Sequence, residues 1–283
     1  MTLYRDHAIV LRTHKLGEAD RIITLFTRDH GRIRAVAKGV RRTKSKFGAR
    51  LEPGSYVDCQ IYTGKGMEII TQAEAIENYG DVLSQDYQRW TILHAIIEAV
   101  EKFTLNEYEK SSEQFALMHG AINALASESY DPSLILDAYL LRALSLAGFA
   151  PSFSTCSVCE KPGPHRYFSM MGGGSICDEC KTSAAATPDP LTLDLMDALM
   201  NSDWKTAVQA ELRNRREASG LIAAYLQWHL EHGLRTLVHV ERSSLTESTP
   251  VRKEYSSQPA SADQSQRPQP IIHNDLSEKS ESA

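Results

Sequence analysis

The chain has 283 residues, with 31 Lys and Arg against 36 Asp and Glu, a formal net charge of −5. That length allows one large domain or two to three small ones with a sizeable core. The densest apolar stretch, LILDAYLLRALSLAGFA, is broken by Asp137 and Arg142, and MTLYRDHAIV lacks the basic-then-apolar pattern of a secretory signal, so no membrane span is expected and the protein is read as soluble and cytoplasmic.

The modest total conceals an asymmetry. Residues 1–80 hold 14 Lys and Arg against 9 Asp and Glu, whereas the other 203 residues hold 17 against 27. A basic module joined to an acidic body fits contact with a polyanion.

Residues 1–80 read as strands. In GRIRAVAK, Ile33, Ala35 and Ala37 alternate with Arg32, Arg34, Val36 and Lys38. In YVDCQIY, Val57, Cys59 and Ile61 alternate with Tyr56, Asp58, Gln60 and Tyr62, which makes Cys59 a buried core thiol. AIVLRT, RIITLFT and MEIITQAE complete a set of five, with Gly64-Lys65-Gly66 as a hairpin turn. Five short strands in this span match a small closed barrel of the oligonucleotide-binding (OB) type.

The most informative stretch lies inside this segment. Between His30 and Leu51 stand Arg32, Arg34, Lys38, Arg41, Arg42, Lys44, Lys46 and Arg50, with no acidic residue among them. A charge run is ordinarily a solvated loop. This one has a single sign, maps to an OB-like barrel and stands against an acidic remainder. All eight are therefore candidate nucleic-acid contacts, acting by phosphate neutralisation with little sequence preference. Arg41 to Lys46 are expected in a polar, mobile connection. Phe47 either stacks on a base or anchors that connection, and anchoring is favoured.

From Tyr79 the period becomes helical. Trp90, Leu93, Ile97 and Val100 share a face, as do Phe115, Met118, Ile122 and Leu125. A third helix opens with Asp131 as N-cap and Pro132 at its first position and closes at Gly148. Being apolar nearly all round, it is expected at the centre of the body. Arg142 within it is a candidate for a basic rim on an apolar cleft, or for a buried ion pair with Asp137 or another acid. Two or three more helices are expected in residues 190–240. The Ser-, Gln- and Pro-rich residues 244–283 are expected to be disordered.

Four cysteines interrupt the helices. Cys156-x2-Cys159 and Cys177-x2-Cys180 are separated by 17 residues. Two such knuckles can complete a tetrahedral site for one Zn2+ ion, joined by a hairpin turning at Gly172-Gly173-Gly174. Redox or disulfide cysteines are the alternative. Four thiolates leave no open coordination position, so the metal is expected to be structural rather than catalytic. His165 is then a surface or hairpin residue. His229-Leu230-Glu231 lies downstream of the cysteines, where a zinc deaminase would need it upstream, and reads as a helix-surface pair. G-x4-G-K-[ST], G-x-S-x-G and H-E-x-x-H are absent, so no catalytic site is expected.

The segment AIVLRTHKLGEADRIITLFTRDHGRIRAVAKGVRRTKSKFGARLEPGSYV, followed by the helical body and the four cysteines, resembles the RecO family of bacterial DNA repair and recombination mediators. Its most specific part runs from Gly17-Glu18-Ala19-Asp20 through the basic stretch K-G-V-R-R-x-K-S-K-F-G-x-x-L-E-P, which begins at Lys38. The resemblance spans roughly residues 1–243. It implies an α+β, multidomain architecture: an OB barrel over residues 1–80, then a mainly α-helical domain over 81–243 with a zinc ribbon inserted at 154–182. It also implies binding of single- and double-stranded DNA, strand annealing, and association with RecR and with the tail of the single-stranded DNA-binding protein. With RecR, such proteins help load RecA onto coated strands, without ATP hydrolysis of their own and in association with the bacterial nucleoid. The alternative is a non-catalytic scaffold with a zinc ribbon.

Overall fold

The computed structural model describes residues 2–230 and 233–240. The expected disordered tail and Glu231 lie outside the described residues.

Five strands, β1 (Thr2–Leu16), β2 (Asp20–Thr27), β3 (Gly31–Ala37), β4 (Ser55–Thr63) and β5 (Glu68–Asn78), close into a barrel in the order β1-β2-β3-β5-β4. All neighbours are antiparallel except β3 and β5, which pair in parallel through Ala35 with Glu68 and Val36 with Ile69. The period of two seen in the sequence sorts the side chains. Ala8, Val10, Ile23, Leu25, Ile33, Ala35, Val57, Cys59 and Ile61 fill the barrel. Burial pushes the Cys59 thiol up to about 12, as expected of an inert core cysteine.

Residues 38–54 form successive turns rather than a loose connection. Arg42 N–H donates to Gly39 O, Ser45 N–H to Arg42 O and Arg50 N–H to Phe47 O. Val40, Phe47 and Leu51 insert into the barrel core, with Phe47 only 1% exposed. Phe47 is thus the anchor of the basic segment and has no face free for a base.

The helices are α1 (Tyr79–Leu83), α2 (Tyr87–Phe103), α3 (Ser112–Ala126), α4 (Pro132–Leu146), α5 (Pro190–Met200), α6 (Trp204–Ala207) and α7 (Leu212–His229), followed by a 3-10 turn at Arg235–His239. Asp131 accepts from the Ser133 and Leu134 N–H groups to start α4, and Asp189-Pro190 repeats the device at α5. Gly148 follows the end of α4 at φ 87°. α4 lies centrally, packed against α2, α3, α5 and α7. α2 buries Ile92, Ala95, Ile96 and Ala99 besides its predicted face, because both the barrel and α4 cover it. Ile9, Leu11 and Phe26 on the barrel's outer face join the helical core, so barrel and body share one apolar cluster.

Two expectations about single side chains are corrected. Arg142 does not form the envisaged pair with Asp137: it donates to Leu199 O at 3.0 and 2.8 Å and lies over Trp204, while Asp137 accepts from the Ser219 hydroxyl. His229 is not free on the helix surface but half-buried, packed between Phe149 and Tyr225, with ring centroids 4.7 and 4.4 Å away.

The cysteine segment forms a hairpin of β6 (Tyr167–Ser169) and β7 (Gly174–Ile176). Phe168 is fully buried and contacts Phe153 and Tyr225, which fixes the hairpin to the helical core. Gly174 has φ 141°, and a Cβ there would stand 2.3 Å from Ser152 O, so only glycine fits. Among the described residues no helix is long and apolar enough to cross a membrane.

Candidate nucleic-acid interface and metal centre

The outer face of β1, β2 and β3 carries the candidate interface. Strand register sets Arg12 opposite Thr24 and Thr24 opposite Arg34, with His14, Ile22 and Val36 aligned in the next row. Arg34 is exposed on this face, and Lys38, Arg42 and Lys44 are exposed in the turns that follow. None of these four side chains makes a hydrogen bond or ion pair among the described residues.

The other four predicted cations are held by backbone carbonyls. Arg41 Nη1 donates to Gly17 O and Glu18 O at 3.2 and 2.9 Å, tying the basic turns to the β1–β2 connection. Asp20 reinforces this tie by accepting from the Gly39 N–H at 2.7 Å. Lys46 Nζ donates to Thr71 O and Arg50 Nη1 to Lys46 O. Arg32 faces the helical body, where its guanidinium reaches Glu101 O and Leu105 O at 3.2 and 2.8 Å. A carbonyl orients a cation without cancelling its charge. Other barrel arginines are neutralised by carboxylates: Arg5 by Asp58, Arg12 by Glu101, Arg21 by Glu52 and Arg28 by Asp29. The eight cations of the run have no carboxylate partner among the described residues, so their field reaches solvent.

Sequence reading missed Arg12, His14 and Asp20. The alternation of Leu11-Arg12-Thr13-His14 along β1 was the available signal for the first two. For Asp20 there was none, because its partner is a backbone N–H presented by the turn.

The four cysteine sulfurs gather beyond the open end of the hairpin, where Cys177 follows β7, all within 4.8 Å of one another. Tetrahedral ligation at Zn–S distances near 2.3 Å requires sulfurs about 3.8 Å apart, and Cys159 and Cys177 stand at 3.7 Å. Burial opposes charge on Cys156, yet the N–H groups of Cys177, Cys159 and Val158 outweigh it and bring this thiol down to about 6. The neighbouring thiols of Cys159 and Cys177 push Cys180 up to about 12. Four sulfurs this close can ionise together only around a cation, and the donor set suits a soft or borderline dication such as zinc. His165 stands apart from the cluster, with Nε2 at 2.8 Å from Lys161 O.

Comparison with known proteins agrees with this architecture. Residues 1–79 match the family model for the N-terminal part of recombination protein O, and residues 84–237 match the model for its C-terminal part. The DNA repair protein RecO of Streptomyces coelicolor is 52% identical over 248 residues, covering 86% of this chain and 100% of the relative. That of Thermobifida fusca is 50% identical over 243 residues with the same coverage. A barrel bearing an unneutralised cationic run, a helical body and a four-cysteine hairpin thus occur together in a chain that belongs to the RecO family of DNA repair proteins.

Proposed function

We propose that this protein is a recombination mediator that binds single- and double-stranded DNA through the outer face of its barrel. The observation that carries this reading is the contrast between the eight cations without carboxylate partners among the described residues and the four neutralised arginines beside them. Arg34, Lys38, Arg42 and Lys44 meet phosphates directly, while Arg41, Lys46 and Arg50 add charge from positions fixed by carbonyls. Neutralising phosphates on two strands at once lowers their repulsion and favours annealing. With RecR, the protein acts on strands coated by the single-stranded DNA-binding protein and helps load RecA. No step requires catalysis by this chain.

An apolar cleft of about 310 Å3 in the helical body suits the acidic, apolar tail of the single-stranded DNA-binding protein. Leu117, Ala121, Tyr130 and Trp204 line it, with Arg142 as the cation. Cys156, Cys159, Cys177 and Cys180 hold one zinc ion, which supplies a cross-link within a hairpin whose own core is small.

Binding of the purified chain to a labelled, mixed-sequence single strand across a salt series tests the reading. With four to eight phosphates engaged, log K against log salt slopes at roughly −3 to −6. Negligible binding at low salt overturns it in favour of the protein scaffold.

A further inference from the structure

A second cationic feature lies where the barrel meets the helical body. A cleft of about 800 Å3 opens between the outer face of β1 and α2, closed at one end by the 3-10 turn. Arg12 and His14 enter it from the barrel, His94 and Lys102 from α2, and Arg235 from the turn. Its barrel wall is continuous with the interface described above, because Arg12 and Arg34 flank Thr24 in one row across the sheet.

The charge balance within the cleft is positive. Arg12, Arg32, Lys102 and Arg235 face Glu98 and Glu101, and both carboxylates are already engaged. Glu101 receives Arg12 Nε at 2.6 Å. Glu98 accepts from the Arg235 and Thr236 N–H groups, both at 2.9 Å, and from the Thr236 hydroxyl at 2.7 Å. The side chains of Lys102 and Arg235 make no hydrogen bond or ion pair among the described residues, although Lys102 lies near enough to Glu98 to favour its charged form. His94 uses Nδ1 on Trp90 O, which leaves Nε2 available.

We propose that this cleft is a second binding site for the phosphodiester backbone of an unpaired strand, which passes from the barrel face beyond Arg12 to Lys102 and Arg235. The inference rests on the DNA-binding reading and deepens it. A cleft of this size, within the range of ~300–1,000 Å3 usual for small-ligand sites, holds a nucleotide or two of a single strand and excludes a duplex. The barrel face serves both forms of DNA, and the cleft selects the unpaired one.

The test compares the full chain with its Lys102→Gln, Arg235→Gln double variant on a labelled single strand about twenty nucleotides long and on the matching duplex. Each phosphate contact to a single strand contributes a slope of about 0.7, or about 0.7 decade of affinity at 0.1 M salt. The double variant is expected to lose about 1.4 from the slope and about 25-fold in single-strand affinity, with duplex binding and Tm unchanged. Unchanged single-strand affinity and slope overturn the proposal, and so does an equal loss on the duplex. Displacement of the strand from the parent by millimolar inorganic phosphate, but not from the variant, also overturns it by making the cleft a small-anion pocket. Failure of the parent to bind DNA at all overturns the underlying function instead.

Discussion

Arg32 and Arg34 are neighbours on one face of β3, and sequence reading treats them alike, but the structure gives them different surroundings. Arg32 spends its guanidinium on the carbonyls of Glu101 and Leu105, joining β3 to the end of α2. Hydrogen bonds from a charged donor are worth about 1.5–3 kcal/mol each when well formed. One of these is long at 3.2 Å and the side chain is only partly buried, so the pair together contributes about 2 kcal/mol. Arg32→Gln is therefore expected to lower Tm by roughly 4–8 °C, at ~2–4 °C per kcal/mol for a chain of this size. Arg34 is exposed without such partners, so Arg34→Gln is expected to leave Tm unchanged and to make the single-strand salt slope shallower by about 0.7. Thermal melts and fluorescence-anisotropy salt series on both variants decide the matter. A Tm for Arg32→Gln equal to the parent, with a slope loss matching Arg34→Gln, would refute the division of roles.

The hairpin and the body each offer a separate test. Cys177→Ser removes one of four sulfurs from a hairpin whose own buried cluster, among the described residues, is the small set Cys156, Ile176 and Cys177, so amide exchange should accelerate across residues 154–182 and zinc content should fall below one per chain. Parent-like protection and stability in this variant would rule out a structural metal. Burial works against charge on Glu98, but the donors from Arg235 and Thr236 outweigh it and hold its carboxyl below the ordinary value. A depressed folded-state pKa stabilises the protein above the unfolded value near ~4.3 and loses that contribution as pH falls through the folded value. Glu98→Gln should thus flatten the acid limb of the stability curve below about pH 4.3, and an unchanged acid limb would show that the carboxylate contributes nothing.

Much of the fold is legible in local sequence. The alternation in GRIRAVAK and YVDCQIY places Ile33, Ala35, Val57, Cys59 and Ile61 inside the barrel, and the structure buries all five. Asp131-Pro132 and Gly148 mark the ends of the central helix in the same way. The paired C-x2-C spacing likewise brings four sulfurs within 4.8 Å. These signals work because strand period, helix caps and cysteine knuckles depend on residues only a few positions apart.

Patterns along the chain therefore specify the elements, the barrel core, the cysteine cluster and the sign of the basic run. Which cations remain available to a ligand is settled by packing across space. Arg12 is neutralised by Glu101, 89 positions away, Arg32 is turned to the end of α2, and Arg142 reaches Leu199 O, 57 positions away, instead of Asp137. The cleft of Lys102 and Arg235 likewise joins residues from opposite ends of the helical body. Periodicity and spacing act between near neighbours in sequence, whereas a charge is cancelled, oriented or left free by whatever partner folding brings to it.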